Sequence, residues 1–381
     1  MNADIRLYSA QDIDELPVPG DSYALRVYRY VVPILKNGTE QYISNVRTDL
    51  RVLKYGNLYL PVTINSTDWD NSYVCSPYTH YITYANEELI RLPNHVLRFV
   101  LGLVLGRLGI LLRYGKINKV VIVNNWMLST NLYPTLHTDE ISRITSHLKE
   151  KFPLHAILWR SVQTYHQKDL RSLFEKYGYL EVASRQVYLW DQKHPINQHS
   201  HKQLKTDEAL LIDREYEQVH IDVLSREQSH RVRMLYDALY IDKYSRLNPQ
   251  FTEAFFIHAV ESVFDMTLLQ KGGRIDGVLG ILSLEGMGTA SIFGYDTSVS
   301  PAAKLYRRLA IIGLDYCRKR NLIAHKSSGA ASFKRNRGCV PEVEYTVVYA
   351  QHLPFRQRFV WKMLSILINS IGVPLIRRYE L

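Results

Sequence analysis

One supersecondary plan occurs twice in this chain, and that repetition limits what it can fold into more than any other feature. Residues 155–189 ("HAILWRSV…LRSLFEKYGYLEVASRQVYL") and 321–349 ("NLIAHKSSGAASFKRNRGCVPEVEYTVVY") follow the same order. Each has an apolar strand, a short helix containing a phenylalanine, a glycine, and a further strand ending near Val-Tyr. Self-similarity of this kind points to a unit used in tandem. With 381 residues there is room for two cores of ordinary size.

The remaining periodicities fill in two halves. Residues 22–62 read as strands, with Asn37-Gly38 as a hairpin signal. The apolar run at 96–112 is broken by Arg98 and Arg107, which suits a buried or interfacial helix, its Gly102/Gly106 spacing permitting close packing. "KVVIVNN" is a buried strand, and Thr138 is the expected N-cap of a helix with Ile141, Ile144 and Leu148 on its inner face. The His-rich stretch 191–203 reads as a solvated linker, since His194, His199 and His201 have no partners at ligand spacing. In the second half a capping box at Ser225–Gln228 starts a helix carrying Val232, Leu235, Tyr236 and Leu239. "GVLGILSL" and "TASIFGY" form a hairpin, and Ser300-Pro301 opens a helix with the stripe Leu305, Leu309, Ile312 and Tyr316. The expected class is α/β (α+β), each half a mixed twisted sheet flanked by helices, with halves at 1–195 and 204–381 joined by 196–203.

Charge narrows the partner. A net charge of +10 calls for an anion, and the segment 318–338 holds seven Lys/Arg and no acid. Three widely spaced cysteines fit a reducing compartment, and the N-terminal residues do not read as a secretion signal, so a cytoplasmic location is expected. The C-terminal stretch sets Phe359, Met363, Ile366, Leu367 and Ser370 along one face, with Arg356, Arg358, Lys362, Arg377 and Arg378 at the flanks. That mixture suits either a helix docked on the domain or peripheral contact with an anionic membrane at its inner face. Pro374 is expected to stop this helix short of a span.

The second half, about 200–350, resembles the GNAT acyltransferase superfamily, in particular its tandem-domain FemAB-like and CelD/BioF-like branch. The resemblance lies in the order hairpin, helix, strand, small-residue turn, helix, strand, and most specifically in "SSGAASFKRNRG". "YIDKYSRLNPQF" and "FGYDTS" also read like stretches of this group, and the first half looks like a degenerate copy of the fold. The resemblance implies an N-acyltransferase working by direct transfer to an amine. It also implies a donor phosphate cradle near Ser300, at the helix after "FGYDTS". A helix N-terminus at Ser328-Gly329 offers a second anion site on physical grounds. The usual glycine-rich cradle pattern does not precede Ser300, which leaves acyl-CoA, an acyl carrier protein and aminoacyl-tRNA open as donors. No cofactor is expected to be held permanently, and no metal.

Lys334 matches the lysine of the family's aromatic-lysine pattern, which implies a contact to the donor phosphate or to the developing oxyanion. Arg337 could support it as a bidentate phosphate ligand. Asp296, next to Tyr295 at a strand end, could orient or deprotonate the amine. Tyr244 and Arg246 lie where the superfamily borders its acceptor, and His80 and Tyr78 are weaker first-half candidates. The alternative from a different class is a non-catalytic RNA-binding protein using the basic 318–338 segment.

Overall fold

The computed structural model describes residues 4–90 and 92–379. Its first half runs β1 (Ile5–Tyr8), α1 (Ser22–Asn37), α2 (Thr39–Tyr42), β2 (Asp49–Tyr55), β3 (Leu58–Asn65), α3 (Ala85–Leu89) and α4 (His95–Tyr114). β4 (Val120–Val123), α5 (Thr138–Lys151), β5 (Ala156–Val162), α6 (Thr164–Lys176) and β6 (Leu180–Trp190) complete it. The second half begins with α7 (Gln198–Glu208), β7 (Glu217–Ile221), α8 (Arg226–Tyr236), α9 (Glu253–Ser262), β8 (Asp265–Lys271), β9 (Arg274–Leu284) and β10 (Met287–Tyr295). It ends with α10 (Leu305–Lys319), β11 (Ile323–His325), α11 (Ala331–Arg335), β12 (Val340–Tyr349), α12 (Phe355–Leu367) and α13 (Val373–Tyr379). Three π-helical turns, Thr79–Tyr84, Asp237–Tyr244 and Ile368–Gly372, interrupt the helices.

All twelve strands among the described residues join one mixed sheet in the order β1-β2-β3-β4-β5-β12-β6-β11-β10-β9-β8-β7. Each half lays down four antiparallel strands and then a parallel fifth: β1 to β4 with β5, and β7 to β10 with β11. The sixth strands are exchanged. β12 pairs with β5, β6 pairs with β11, and β6 and β12 pair with each other. Each half therefore covers the other's open edge, which would otherwise expose unpaired backbone groups. The α/β class holds, while residues 198–203 of the expected linker belong to α7.

Side chains alternate across the sheet as strand geometry requires. Val121 and Val123 of β4 pack on the side of α1, α5 and α9, while Val120 and Ile122 pack on the side of α4 and α12. Leu279 and Ile281 of β9 face α10, and Val278 and Leu282 face the opposite cluster.

Several local expectations are corrected. Residues 22–37 form a helix, not a strand: Asp21 accepts from the N–H of Tyr23 (2.9 Å) and Ala24 (3.1 Å), and Ala24, Val27, Val31 and Leu35 are buried at helical spacing. Tyr and Val, rich in that stretch, favour strands on propensity, and the cap and burial override them. Asn37-Gly38 ends that helix instead of turning a hairpin, with Gly38 at φ +90°. Thr138 is the first helical residue of α5, and Glu140 accepts from the His137 N–H before it (2.7 Å). Pro374 does not stop the last helix, which runs from Phe355 to Tyr379. The proline stands two residues after the π turn at Ile368–Gly372, where the regular hydrogen-bond ladder is already shifted. In α4, Gly102 and Gly106 meet nothing, and Gly109 is the close approach, against Tyr78.

Candidate active site

The site begins where two parallel strands part. β10 and β11 pair only through Met287–Thr289 and Ile323–His325. Just beyond, Ala290 and Ser291 form a bulge on β10, between the pairs Thr289–Leu282 and Ile292–Gly280 with β9. Strand β11 ends, and its chain leaves through Lys326–Ala330. Between the separated strands lies a cavity of about 1000 Å³. Ser291 lines it, is 7% exposed, and its hydroxyl has no hydrogen-bond partner.

Beside Ser291 runs the small-residue turn. Ser327, Gly329 and Ala330 all have positive φ (56°, 78° and 48°), conformations that Gly adopts freely and the other two do not. Lys334, from the first turns of α11, reaches back under this loop. Its ammonium nitrogen donates to Ser327 O (3.1 Å) and Ser328 O (2.9 Å) and lies 5.3 Å from the Tyr188 ring centroid. Burial first, and then the neighbouring Lys326, push its pKa down to about 7.

The exchanged strands supply the floor. Glu344 of β12 accepts from Arg185 Nε of β6 (2.7 Å) and from His325 Nε2 of β11 (3.0 Å). His325 Nδ1 in turn accepts from the Ser327 N–H (3.2 Å), so its hydrogen sits on Nε2, toward Glu344. Burial alone would raise Glu344, but Arg185 and His325 hold it down to about 2. Arg185 also donates to Ser129 O (2.8 Å) and Thr130 Oγ1 (2.9 Å), tying the first half's loop into the same floor.

Tyrosines and π turns form the walls. Each of the three π-helical turns contributes cavity-lining residues: His80, Tyr81 and Tyr84; Leu239, Tyr240 and Tyr244; Ile368, Ile371 and Gly372. A π turn rotates following side chains out of helical register and is common at functional sites. Tyr236 and Tyr240 stack at 4.8 Å. His80 shares a hydrogen bond with Ser184 (2.8 Å), and burial lowers its pKa to about 3, so it stays neutral. Gly294 lets β10 pass the start of one such turn, since a Cβ there would lie 2.7 Å from the Leu235 backbone.

No family model and no curated protein matches the sequence. Among solved structures, that of FemX matches 95% of this chain and 100% of its own, at 6% identity and a TM-score of 0.50. The tandem GNAT protein from the clavulanic acid biosynthesis pathway matches over 91% and 98%, at 10% identity and 0.40. L-PGS from Bacillus licheniformis matches over 60% and 77%, at 13% identity and 0.44.

The fold is GNAT-like.

Within this GNAT-like frame the expected site residues divide into two groups. Lys334, Ser328, Gly329 and Tyr244 all line the cavity, as does His80. Asp296, Tyr295, Ser300, Arg246, Arg337 and Tyr78 are not among its lining residues. Asp296 has both oxygens occupied, by Arg231 (2.6 Å) and by the Ser298 N–H (2.9 Å) and hydroxyl (2.5 Å). These bonds outweigh its partial burial and hold its pKa near 2, leaving no useful base. Ser300 caps a single 3-10 turn, Pro301–Ala303, and α10 starts only after Lys304 in the left-handed region. Arg337 is paired with buried Asp207 and lies 3.5 Å from the Phe333 ring centroid. The backbone carbonyl of Arg246 accepts from Asn45 and Gln250, and Tyr295 packs on Tyr306.

The cations of the 318–338 segment are mostly engaged with the protein itself. Arg318 pairs with Glu208, Lys319 with Asp315, and Arg320 lies over Tyr316. Lys326 donates inward to Ala310 O (3.0 Å). The His-rich stretch forms no group able to hold a metal among the described residues.

Sequence reading missed Ser291, Arg185, Glu344 and His325. Ser291 follows "TA" in an ordinary strand, and nothing local announces a bulge. Glu344 stands in a stretch where Val343, Tyr345 and Val347 alternate, so periodicity alone puts it on the face opposite to theirs. Its burial follows from the strand exchange, which no single segment encodes.

Proposed function

We propose that this chain is an acyltransferase that moves an acyl or aminoacyl group directly from an activated donor to an amine, in the cavity at the β10–β11 opening. What supports this reading most is the unpartnered Ser291 hydroxyl on the bulge, in a tyrosine-lined cavity that Lys334 lines as well. An exposed serine needs no such explanation. A buried one without a partner costs stability unless a substrate oxygen supplies the bond.

In the proposed reaction the amine nitrogen attacks the donor carbonyl, and its π electrons move onto oxygen. Ser291 donates to that oxyanion. The carbonyl then reforms as the bond to the leaving sulfur or oxygen breaks. The proton lost by the attacking amine passes to Lys334, whose neutral form has two N–H groups on Ser327 O and Ser328 O and its lone pair free, and from Lys334 to the departing sulfur or oxygen, which leaves as the free thiol or hydroxyl. Glu344, Arg185 and His325 position the loop that holds Lys334 and take no proton. Tyr244 and Tyr240 border the acceptor. The donor is a co-substrate and is not held between turnovers.

The RNA-binding alternative loses three of its seven cations, because Lys326, Lys334 and Arg337 bond inward. Incubation with acyl-CoA, acyl carrier protein and aminoacyl-tRNA donors and pooled amines, followed by release of free thiol or deacylated tRNA, tests the proposal. Turnover with one donor class is expected. No turnover with any class, and no thermal stabilisation by any donor, overturns it.

A further inference from the structure

The cavity has an apolar roof made of two helices whose outer faces remain uncovered. Helix α4 buries Leu108 and Leu112 in the core but leaves Phe99 (68% exposed), Leu103 and Ile110 in solvent. The C-terminal helix buries Val360, Trp361 and Leu364 and leaves Phe359, Ile366 (58%) and Ile371 outside. The two helices meet where Arg356 lies over Tyr114 (4.3 Å) and Val360 fills the space beside Gly115. Scattered exposed apolar residues are ordinary, but so many of them on two helices that meet at one end and line one cavity mark an interaction face.

Charge identifies the occupant. Residues 95–114 carry Arg98, Arg107 and Arg113, and residues 355–379 carry Arg356, Arg358, Lys362, Arg377 and Arg378. Neither stretch contains an acid. Apolar helices that carry cations and no acid of their own match an anionic bilayer. Both helices are long and apolar enough to cross a membrane. The C-terminal one is nevertheless fixed flat on β6: Asn369 accepts from the Ala183 N–H (3.0 Å) and donates to Glu181 O (2.8 Å), and Ser365 donates to the same carbonyl (2.6 Å). A helix bonded along its side to a sheet cannot also cross a bilayer.

The cavity adds the second half of the inference. Val104 and Leu105 of α4 and Ile368, Ile371 and Ile376 of the last helix line it, so the gap between the two helices leads from the uncovered face to Ser291 and Lys334. We infer that α4 and the C-terminal helix form a platform lying on an anionic bilayer, through which the hydrocarbon chain of a lipid substrate slides into the cavity without crossing water. This rests on the proposed acyl transfer and names one of its substrates as a membrane lipid.

Two measurements on the full chain test it. In flotation, wild type is expected to rise with vesicles of phosphatidylglycerol and phosphatidylcholine and to stay largely unbound with phosphatidylcholine alone. Phe99→Glu/Ile366→Glu, which changes only exposed positions, should lower recovery at least tenfold with an unchanged melting temperature. Single cysteines at Phe99, Ile366 and, on the opposite face of the sheet, Asp139 carry an environment-sensitive dye; the native cysteines are all buried. The dyes at 99 and 366 should be quenched by nitroxide lipids, and the dye at 139 should not. Wild type unbound to either vesicle, equal flotation on both, or equal quenching at all three positions overturns the proposal. Transfer between water-soluble donors and amines is scored separately. Its survival without flotation removes only the platform, and flotation without any transfer removes only the acyltransferase reading.

Discussion

The two halves build the same run of strand pairings and treat the gap beside it in opposite ways. In the first half, the chain after β4 folds back as a buried loop, with Trp126, Met127 and Leu128 at 0% exposure. Arg160 holds that loop by donating to Asn125 Oδ1 (3.3 Å) and Leu128 O (3.5 Å), and Arg185 holds Ser129 and Thr130. In the second half, the chain after β10 stays near the surface, and the gap remains open as the cavity. The hairpins differ too. β9 and β10 are joined by Glu285-Gly286, whereas β3 and β4 are joined by residues 66–119, which carry a π turn and α4. One half keeps the opening and the other supplies, in α4, part of its roof. Two halves with one strand plan can thus divide their labour, because the loops change while the sheet cannot.

The largest way to break this comparison is at the exchanged strands. Glu344→Gln leaves Arg185 buried without its counter-charge and should cost about 3–5 kcal/mol in denaturant unfolding. Its pH dependence follows in sign. Glu344 in the fold sits near 2, below its usual 4.5, so its stabilisation is full above 4.5 and is lost as pH falls toward 2. The variant should therefore show a shallower loss of stability over that window. His80, held near 3 rather than 6.5, adds a loss between 6.5 and 3 that the variant retains.

Trp126→Ala would empty the filled gap in the first half at a cost of about 3–5 kcal/mol, yet it should leave KM for the donor within about twofold once the protein is folded. A large rise in KM would mean that both halves bind substrate, and the contrast between them would fail.

Lys334→Met should lower kcat about 100-fold and flatten the pH–rate profile. Wild-type rate should rise with pH through about 7, because the unprotonated amine is the reactive form. A variant that keeps the rising limb would assign it to another group. Ser291→Ala should cost about as much, roughly 100-fold in kcat with KM unchanged, as for loss of one hydrogen-bond donor to an oxyanion. Smallest of all is Asp296→Asn, expected within twofold in kcat despite its position at the strand end. A hundredfold loss there would restore it as the base.

Much of the frame was legible in the sequence. Helix α8 with its capping box, the β9–β10 hairpin and the strands β4, β5 and β6 all follow from periodicity and caps that neighbouring residues share. Lys334, Ser328 and Gly329 were legible for the same reason, since one twelve-residue stretch carries them. Helix α1 was not, because Tyr and Val in "SYALRVYRYVV" carry strand propensity and only packing on α9 and β3 decides for a helix.

By itself the sequence determined the repeated pattern of strands and helices, the glycine-loosened turn and the lysine beyond it, since each depends on local dihedrals and on spacings of a few residues. Only the tertiary structure decided the exchange of β6 and β12, the burial of Glu344 against Arg185, 159 residues away, and the gathering of three π turns around one cavity. Those depend on contacts between segments far apart in the chain, whose free energy exists only once the sheet has closed.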